Sequence, residues 1–166
     1  MWSKIESYFE PYPARWKVVS HLVRQGLSIA DGSIWSGDVE IPAASLARAC
    51  GVDRRVVSAT IECVERDDFI RGVFRDLEPT LFLARVAPRL GYGVLEVMVE
   101  DPQAPGIVQA VTSEIASAGI SIRQVVADDP RFTDPPMLTV ITDSPLPGEL
   151  LERIKAMEGV IELIIR

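Results

Sequence analysis

The chain has a single histidine, His21, and only two cysteines, Cys50 and Cys63, among 166 residues. So few ligands, spread so far apart, do not make an ordinary zinc site. Both cysteines fall inside helical patterns, where they read as small core residues of a reducing compartment rather than as a disulfide. No apolar run approaches the roughly 20 residues of a membrane span. The first residues, "MWSKIESYFEPYP", lack the apolar stretch of a secretion signal, so a cytoplasmic location is expected. There is no phosphate loop of the GxxxxGK[ST] type and no GxGxxG turn. His21 has no nucleophile beside it in any motif and reads as an exposed helix residue. The acidic "DDP" at 128–130 reads as a solvated loop rather than as paired carboxylates or a metal site. No enzyme chemistry, metal or cofactor is expected.

Positive charge is also in short supply. The net charge of −7 excludes a broad, non-specific attraction to nucleic acid. Residues 1–78 carry 10 Lys/Arg against 12 Asp/Glu, and residues 79–166 carry 7 against 12. A DNA contact in the first half therefore needs a local basic face. What the chain does have is apolar residues, 48% of the total, enough to pack one ordinary domain or two small ones.

The two halves follow different patterns. In the first, "WSKIESYFE" is a weak helix broken by "PYP". "ARWKVVSHLVRQGL", residues 14–27, is a stronger one, with Trp16, Val19, Leu22 and Val23 on one face and Gly26 as its stop. "ADGSIWSGD" reads as loop and "VEI" as a short strand. Pro42 then opens a helix, where its missing N–H costs little. That helix ends near Gly51. Asp53 is a good N-cap for a second helix over about 53–67, and "FIRGVFRDLEP" follows as a strand-like segment. Ala47 is small where two helices would cross, Gly51 permits a sharp turn, and Val52, Val57, Ile61 and Val64 point inward. The outward positions of the second helix are Asp53, Arg54, Arg55, Ser58, Ala59 and Glu62.

Residues 79–92, "PTLFLARVAPRLGY", read as an ordered linker in which Leu81, Leu83 and Val86 seek burial. From Gly93 the pattern changes. "GVLEVMVED" is a strand with Leu95, Val97 and Val99 on one side. Residues 106–118 form a helix with Ile107, Val111 and Ile115 on one face and Val108 beside them. "ISIRQVVAD" and "MLTVITD" are strands separated by a proline-rich loop. "PGELLERIKAMEG" is a helix with Leu150, Ile154 and Met157 inward. "VIELIIR" is a last strand, alternating Ile161, Leu163 and Ile165 against Val160, Glu162 and Ile164. The order β-α-β-β-α-β predicts a ferredoxin-like sandwich.

The strand-to-helix join at "VEDPQAPGIVQ" carries the most chemistry. A helix start leaves backbone N–H groups unpaired and partly positive. Gly106 has no side chain to block an approach to them. A carboxylate is expected against the N–H groups near Gly106 and Ile107. Asp101 is placed to oppose an ammonium, with Gln103 or Ser121 completing a polar shell.

The spacing of Ala47, Gly51 and Val57 resembles the helix-turn-helix pattern, and the strand-like flanks resemble its winged variant. The stretch "EDPQAPGIV…ASAGISIRQVVADDP" resembles the ACT domain, a small-molecule sensor of amino-acid metabolism. The whole chain, with "APRLGYGVLEV" and "LTVITDSPLPGEL", resembles an archaeal group described as predicted regulators of amino acid metabolism. The resemblance implies an α+β protein: a winged helix-turn-helix domain at 1–78, the linker 79–92, and an ACT domain at 93–166. It implies a homodimer joined through the ACT domains and an effector, an amino acid or related carboxylate, held by Asp101, Gln103, Pro105, Gly106, Ile107, Ser121 and Ile122. Many amino-acid-binding ACT domains carry Asn after the Gly-Ile that opens the second strand; this chain has Ser121, without an amide's paired donor and acceptor.

On a recognition helix the N-terminal residues reach base edges, so DNA contact is expected from Arg54, Arg55, Ser58 and Ala59. The leading expectation is a ligand-responsive transcription regulator. The alternative is a metabolite-sensing interaction module that regulates an enzyme by contact and does not bind DNA. An arginine face free of nearby carboxylates would favour DNA.

Overall fold

A computed structural model describes residues 2–166. The chain is mixed α+β with two antiparallel sheets, and it divides into two units, Met1–Thr80 and Leu81–Arg166.

In the first unit, α1 (Trp2–Phe9) and α2 (Pro13–Gln25) precede three short strands, β1 (Ser28–Ala30), β2 (Ser33–Ser36) and β3 (Val39–Ile41). Then come α3 (Ala43–Cys50), α4 (Arg54–Arg66) and α5 (Asp68–Arg75). Pro13 opens α2, where a proline has no bond to lose. Gly26 closes it in the left-handed conformation, its N–H and that of Leu27 returning to Val23 and Leu22 carbonyls. The same stop recurs after α3: Gly51 N–H donates to Arg48 and Val52 N–H to Ala47. Ala47 is buried at this turn, as are Val57, Ile61 and Val64 on the inner face of α4, while Val52 packs partly buried against the same core.

Three expectations for this unit fail. "ADGSIWSGD" is not loop but most of a hairpin. Asp31 and Gly32 both take positive φ, as the tightest hairpin turn requires, and Ile29 pairs with Ile34 beneath it, both buried. "FIRGVFRDLEP" is not a strand but mostly α5. Asp67 accepts hydrogen bonds from Phe69 and Ile70 N–H groups at 3.0 Å, which starts a helix, and Ile70 and Phe74 fall one turn apart in the core. The bond from Ile70 N–H, aided by Lys4 and Phe69 N–H, lowers the pKa of the Asp67 carboxyl. The sheet of this unit therefore lies wholly before α3, and among the described residues of the unit no strand follows α4 as the winged arrangement would place one. Finally, His21 is half-buried rather than exposed.

In the second unit, β4 (Gly93–Val99), α6 (Ile107–Ser117), β5 (Ile122–Ala127), β6 (Leu138–Thr142), α7 (Gly148–Lys155) and β7 (Val160–Ile165) follow in that order. The sheet runs β5-β6-β4-β7, every pair antiparallel. Leu95, Val97, Leu138 and Val140 meet Val111 and Ile115 of α6 and Leu150 and Ile154 of α7. The opposite face carries Val94 and Ile141, which pack against Ala84, Ala87, Leu83 and Tyr92. The segment read as a linker is thus, from Leu81 onward, a layer of this unit, with a short 3₁₀ turn at Ala87–Leu90. Leu83 is packed as expected, but Leu81 and Val86 are exposed.

The last strand departs from strict alternation. A bulge opposite Met98 and Val99 leaves Ile161 unpaired, so Val160 turns inward against the helices. Alternation would turn Val160 and Ile164 outward, but the exposed apolar residues of β7 are Ile161 and Ile165.

Desolvation, with Arg24 nearby, lowers the pKa of His21 below its ordinary 6.5. The folded state then binds a proton less readily than the unfolded chain. Its stability is full above pH 6.5 and falls as pH drops below that value, until the folded imidazole itself protonates. Denaturant midpoints measured above and below pH 6.5 should show this loss, and His21→Gln should reduce it relative to wild type.

Candidate functional site

The start of α6 is built by the chain leaving β4. Asp101 Oδ1 accepts from Gln103 N–H at 2.9 Å, and Ala104 N–H donates to the Asp101 carbonyl at 3.1 Å. This side-chain turn aims the chain into Gly106, which caps the helix at φ +99 with no side-chain bond. Ala110 N–H closes the first turn on the Gly106 carbonyl. The N–H groups of Ile107, Val108 and Gln109 have no acceptor within the helix. A Cβ at Gly106 would meet nothing within 4 Å, so glycine is needed here for its φ rather than for close packing.

In front of this helix start lies an open cleft of about 670 Å³. Val99, Ala110 and Met157 form its apolar part, and Glu100, Asp101 and Glu158 line it with carboxylates. No Lys, Arg or His lines it. The N–H groups suit a carboxylate, but the surrounding charge suits an ammonium. A ligand carrying both fits better than a bare anion.

The sequence-predicted residues divide. Asp101, Pro105, Gly106 and Ile107 border the cleft; Gln103 sits beside it, exposed, with its N–H committed to Asp101. Ser121 and Ile122 are elsewhere. Ile122 pairs with Thr142, which pairs with Gly93 at the beginning of β4, whereas the cleft lies beyond its end. The 11 residues of α6 carry the chain back by roughly 16 Å. Ser121 is exposed at that far end, and Ile122 packs against the helix-side core. The expectation that Ser121 lies beside Gly106 in the chain is therefore overturned. Glu100, Met157 and Glu158 were missed; the pairing of Val99 with Val160, with Glu100 N–H donating to the Gly159 carbonyl at 2.9 Å, brings the α7–β7 turn to this place.

The second candidate surface is α4. Asp53 Oδ1 accepts from Arg55 N–H at 2.8 Å, which fixes the helix start as expected. Arg54, Arg55 and Ser58 are exposed and Ala59 is half-exposed. They surround a shallow depression with Asp53 and Glu62. On its other side Arg54 borders a cleft of about 500 Å³ between α4 and the hairpin, shared with Glu40, Glu62 and Glu65. Glu65 accepts from Gly32 N–H at 2.6 Å, Glu40 from the Ser33 hydroxyl at 2.8 Å, and Glu62 pairs with Arg66 at 3.4 Å. The arginines are thus presented, but not on a face free of carboxylates.

Among the described residues, no group of three or more His, Cys, Asp or Glu is placed to hold a metal ion, and no helix is long and apolar enough to cross a membrane. Cys50 and Cys63 are free and half-buried; burial pushes the Cys50 thiol pKa up, partly opposed by Arg24.

Because Gly106 holds φ +99, Gly106→Ala should destabilise the chain by about 1–2 kcal/mol, read by denaturant unfolding. A loss near zero would mean that the turn relaxes and that glycine is not required there.

No protein-family model matches the chain, and no curated protein matches it. The solved structures it is similar to include the crystal structure of PH0061, 19% identical over 92% of this chain and 90% of that one, with a TM-score of 0.28. They also include the transcriptional regulatory protein PF0864 from Pyrococcus furiosus, a member of the AsnC family. It is 11% identical over 76% of this chain and 77% of that one, with a TM-score of 0.25. Superpositions this loose decide neither fold nor function.

Proposed function

We propose that the chain is a ligand-responsive regulator of amino acid metabolism. Its first unit contacts the target through α4, and its second unit senses a small zwitterion at the start of α6. The observation that carries the reading is the α3–α4 turn. Ala47 buried at the crossing, Gly51 in the left-handed conformation and Val57 in the core are the physical content of the helix-turn-helix spacing. Such a pair presents its second helix outward, and here that helix begins with Arg54 and Arg55, capped by Asp53. Arginine bonds a guanine edge bidentately in the major groove. The second unit's strand order and its Asp101-Pro105-Gly106 turn support an ACT-like, ferredoxin-like sensor.

The reading includes a homodimer. Ser121 is a helix length from the α6 start within one chain, so it would join that site only from a second copy. A ligand bridging two copies would bias their orientation and so the spacing of two α4 helices, which must match half-sites roughly 34 Å apart. A coupling of about 1–3 kcal/mol would change target affinity about 5- to 150-fold. A monomer by light scattering at micromolar concentration would contradict this part.

One observation favours a second reading, in which α4 docks a protein. Glu40, Glu62 and Glu65 flank Arg54, and they would repel phosphates while accepting a partner's cations.

Selection from a random duplex library, followed by affinity at fixed salt, separates the two. Arg54→Ala and Arg55→Ala should each cost about 1–3 kcal/mol on the selected sequence without unfolding the chain. A double variant that binds as wild type, or a library that enriches nothing, would shift the proposal to protein docking.

A further inference from the structure

Within the first unit, α1 and α2 meet at a tight corner. Glu10 N–H donates to the Glu6 carbonyl and Tyr12 N–H to the Phe9 carbonyl, both at 2.8 Å, before Pro13 starts α2. Beside the corner is a cleft of about 480 Å³, lined by Glu6, Ser7, Glu10, Pro13 and Trp16. The Glu10 N–H bond keeps Glu10 in helical register, so Glu6 and Glu10 stand one turn apart on one face. Like charges at that spacing repel each other. Pro13 and Trp16 supply the apolar part. Trp16 is half-buried because it also packs against the core.

No Lys, Arg or His lines this cleft. The cations closest in sequence are committed to other rings. Lys4 Nζ lies 4.5 Å from the centre of the Phe69 ring, and the Arg15 guanidinium 4.4 Å from that of Tyr12. Arg15 also donates to Cys63 Sγ at 2.8 Å. Tryptophan offers the best ring for a cation. Here it borders a cleft with two carboxylates and a hydroxyl. A flat cation satisfies both kinds of surface: its face stacks on the indole while its edge N–H groups fork to the carboxylates. A guanidinium has that shape. An alkyl ammonium, a compact and strongly hydrated charge, does not. A free amino acid is a poorer match, because its own carboxylate would meet Glu6 and Glu10 with no cation to receive it.

We propose that the corner of α1 and α2 is a guanidinium-binding site, with Trp16 as the stacking surface and Glu6 and Glu10 as the charge partners. It takes a guanidinium with no carboxylate beside it. That is either a small decarboxylated arginine compound or an arginine side chain inside a peptide. The bound cation removes the repulsion between Glu6 and Glu10 and holds the end of α1 against the start of α2. This site is separate from α4 and from the start of α6, and it stands whatever those surfaces bind.

The test is amide NMR of the full-length chain, titrated with butylguanidinium at low salt. The Trp16 indole N–H and the Ser7 and Glu10 amides should shift together and saturate below about 10 mM. Equimolar sodium chloride should not reproduce those shifts. Glu6→Gln and Glu10→Gln should each weaken binding roughly tenfold, and Glu10→Lys, which places a cation of the chain in the cleft, should abolish it. Glu10 is exposed, so its variants keep their dispersed spectra; if Glu6→Gln does not, the Glu10 variants decide. Butylammonium and free arginine should bind more weakly than butylguanidinium. Agmatine binding more tightly than a capped Ala-Arg-Ala peptide would identify a free small molecule as the source, and the reverse order an arginine of a partner chain. No saturable shift at Trp16, shifts that sodium chloride reproduces, unchanged affinity in Glu10→Gln, or butylammonium or arginine binding as tightly as butylguanidinium would each overturn the proposal.

Discussion

A four-stranded sheet has two faces, and two helices cover only one of them. That constraint organises the second unit. Its middle strands, β4 and β6, are apolar on both sides: Leu95, Val97 and Val140 face the helices, while Val94 and Ile141 face away. Left in water, Val94 and Ile141 would each forfeit about 1.5–3 kcal/mol of burial. The segment before β4 covers them with Ala84 and Ala87, whose small side chains let backbone approach the sheet. The cover consumes most of what would otherwise be a linker.

The first unit solves a related problem with α4. This helix packs its inner face on α2, α3 and α5 and holds the hairpin tip through Glu65 and Gly32 N–H. Its outer face, with Arg54, Arg55 and Ser58, is exposed. The price is that carboxylates needed to hold the hairpin stand beside Arg54. The same glutamates that order the surface make it less basic.

Much of this was legible in the sequence. Apolar periodicity alone places the strands and helices of the second unit, Gly26 and Gly51 mark helix ends by their left-handed backbone, and Asp53 marks one by its side-chain cap. The failures are physical. In "SIADGSIWS" the strands are too short for alternation to stand out, although Asp31-Gly32 is the turn signal that joins them. In "DFIRGVFR" the β-favouring residues mislead, because Phe69, Ile70, Val73 and Phe74 actually fall at helical spacing behind the Asp67 cap. Bulges, which no local pattern announces, reverse Val160 and release Arg123. The candidate site was half legible. The turn from Asp101 to Ile107 is local and could be read, whereas Glu158 arrives through strand pairing and Ser121 departs with the length of α6.

The central claim is that a small zwitterion binds at the start of α6 and that the first unit feels it. Amide chemical shifts of the full chain, followed during titration with each of the twenty amino acids, test it most directly. The account predicts that at least one of them shifts Ile107, Val108 and Gln109, and that residues of α4 shift with the same saturation curve. Shifts confined to other regions, no shifts at all, or a response at α6 that never reaches α4 would contradict it.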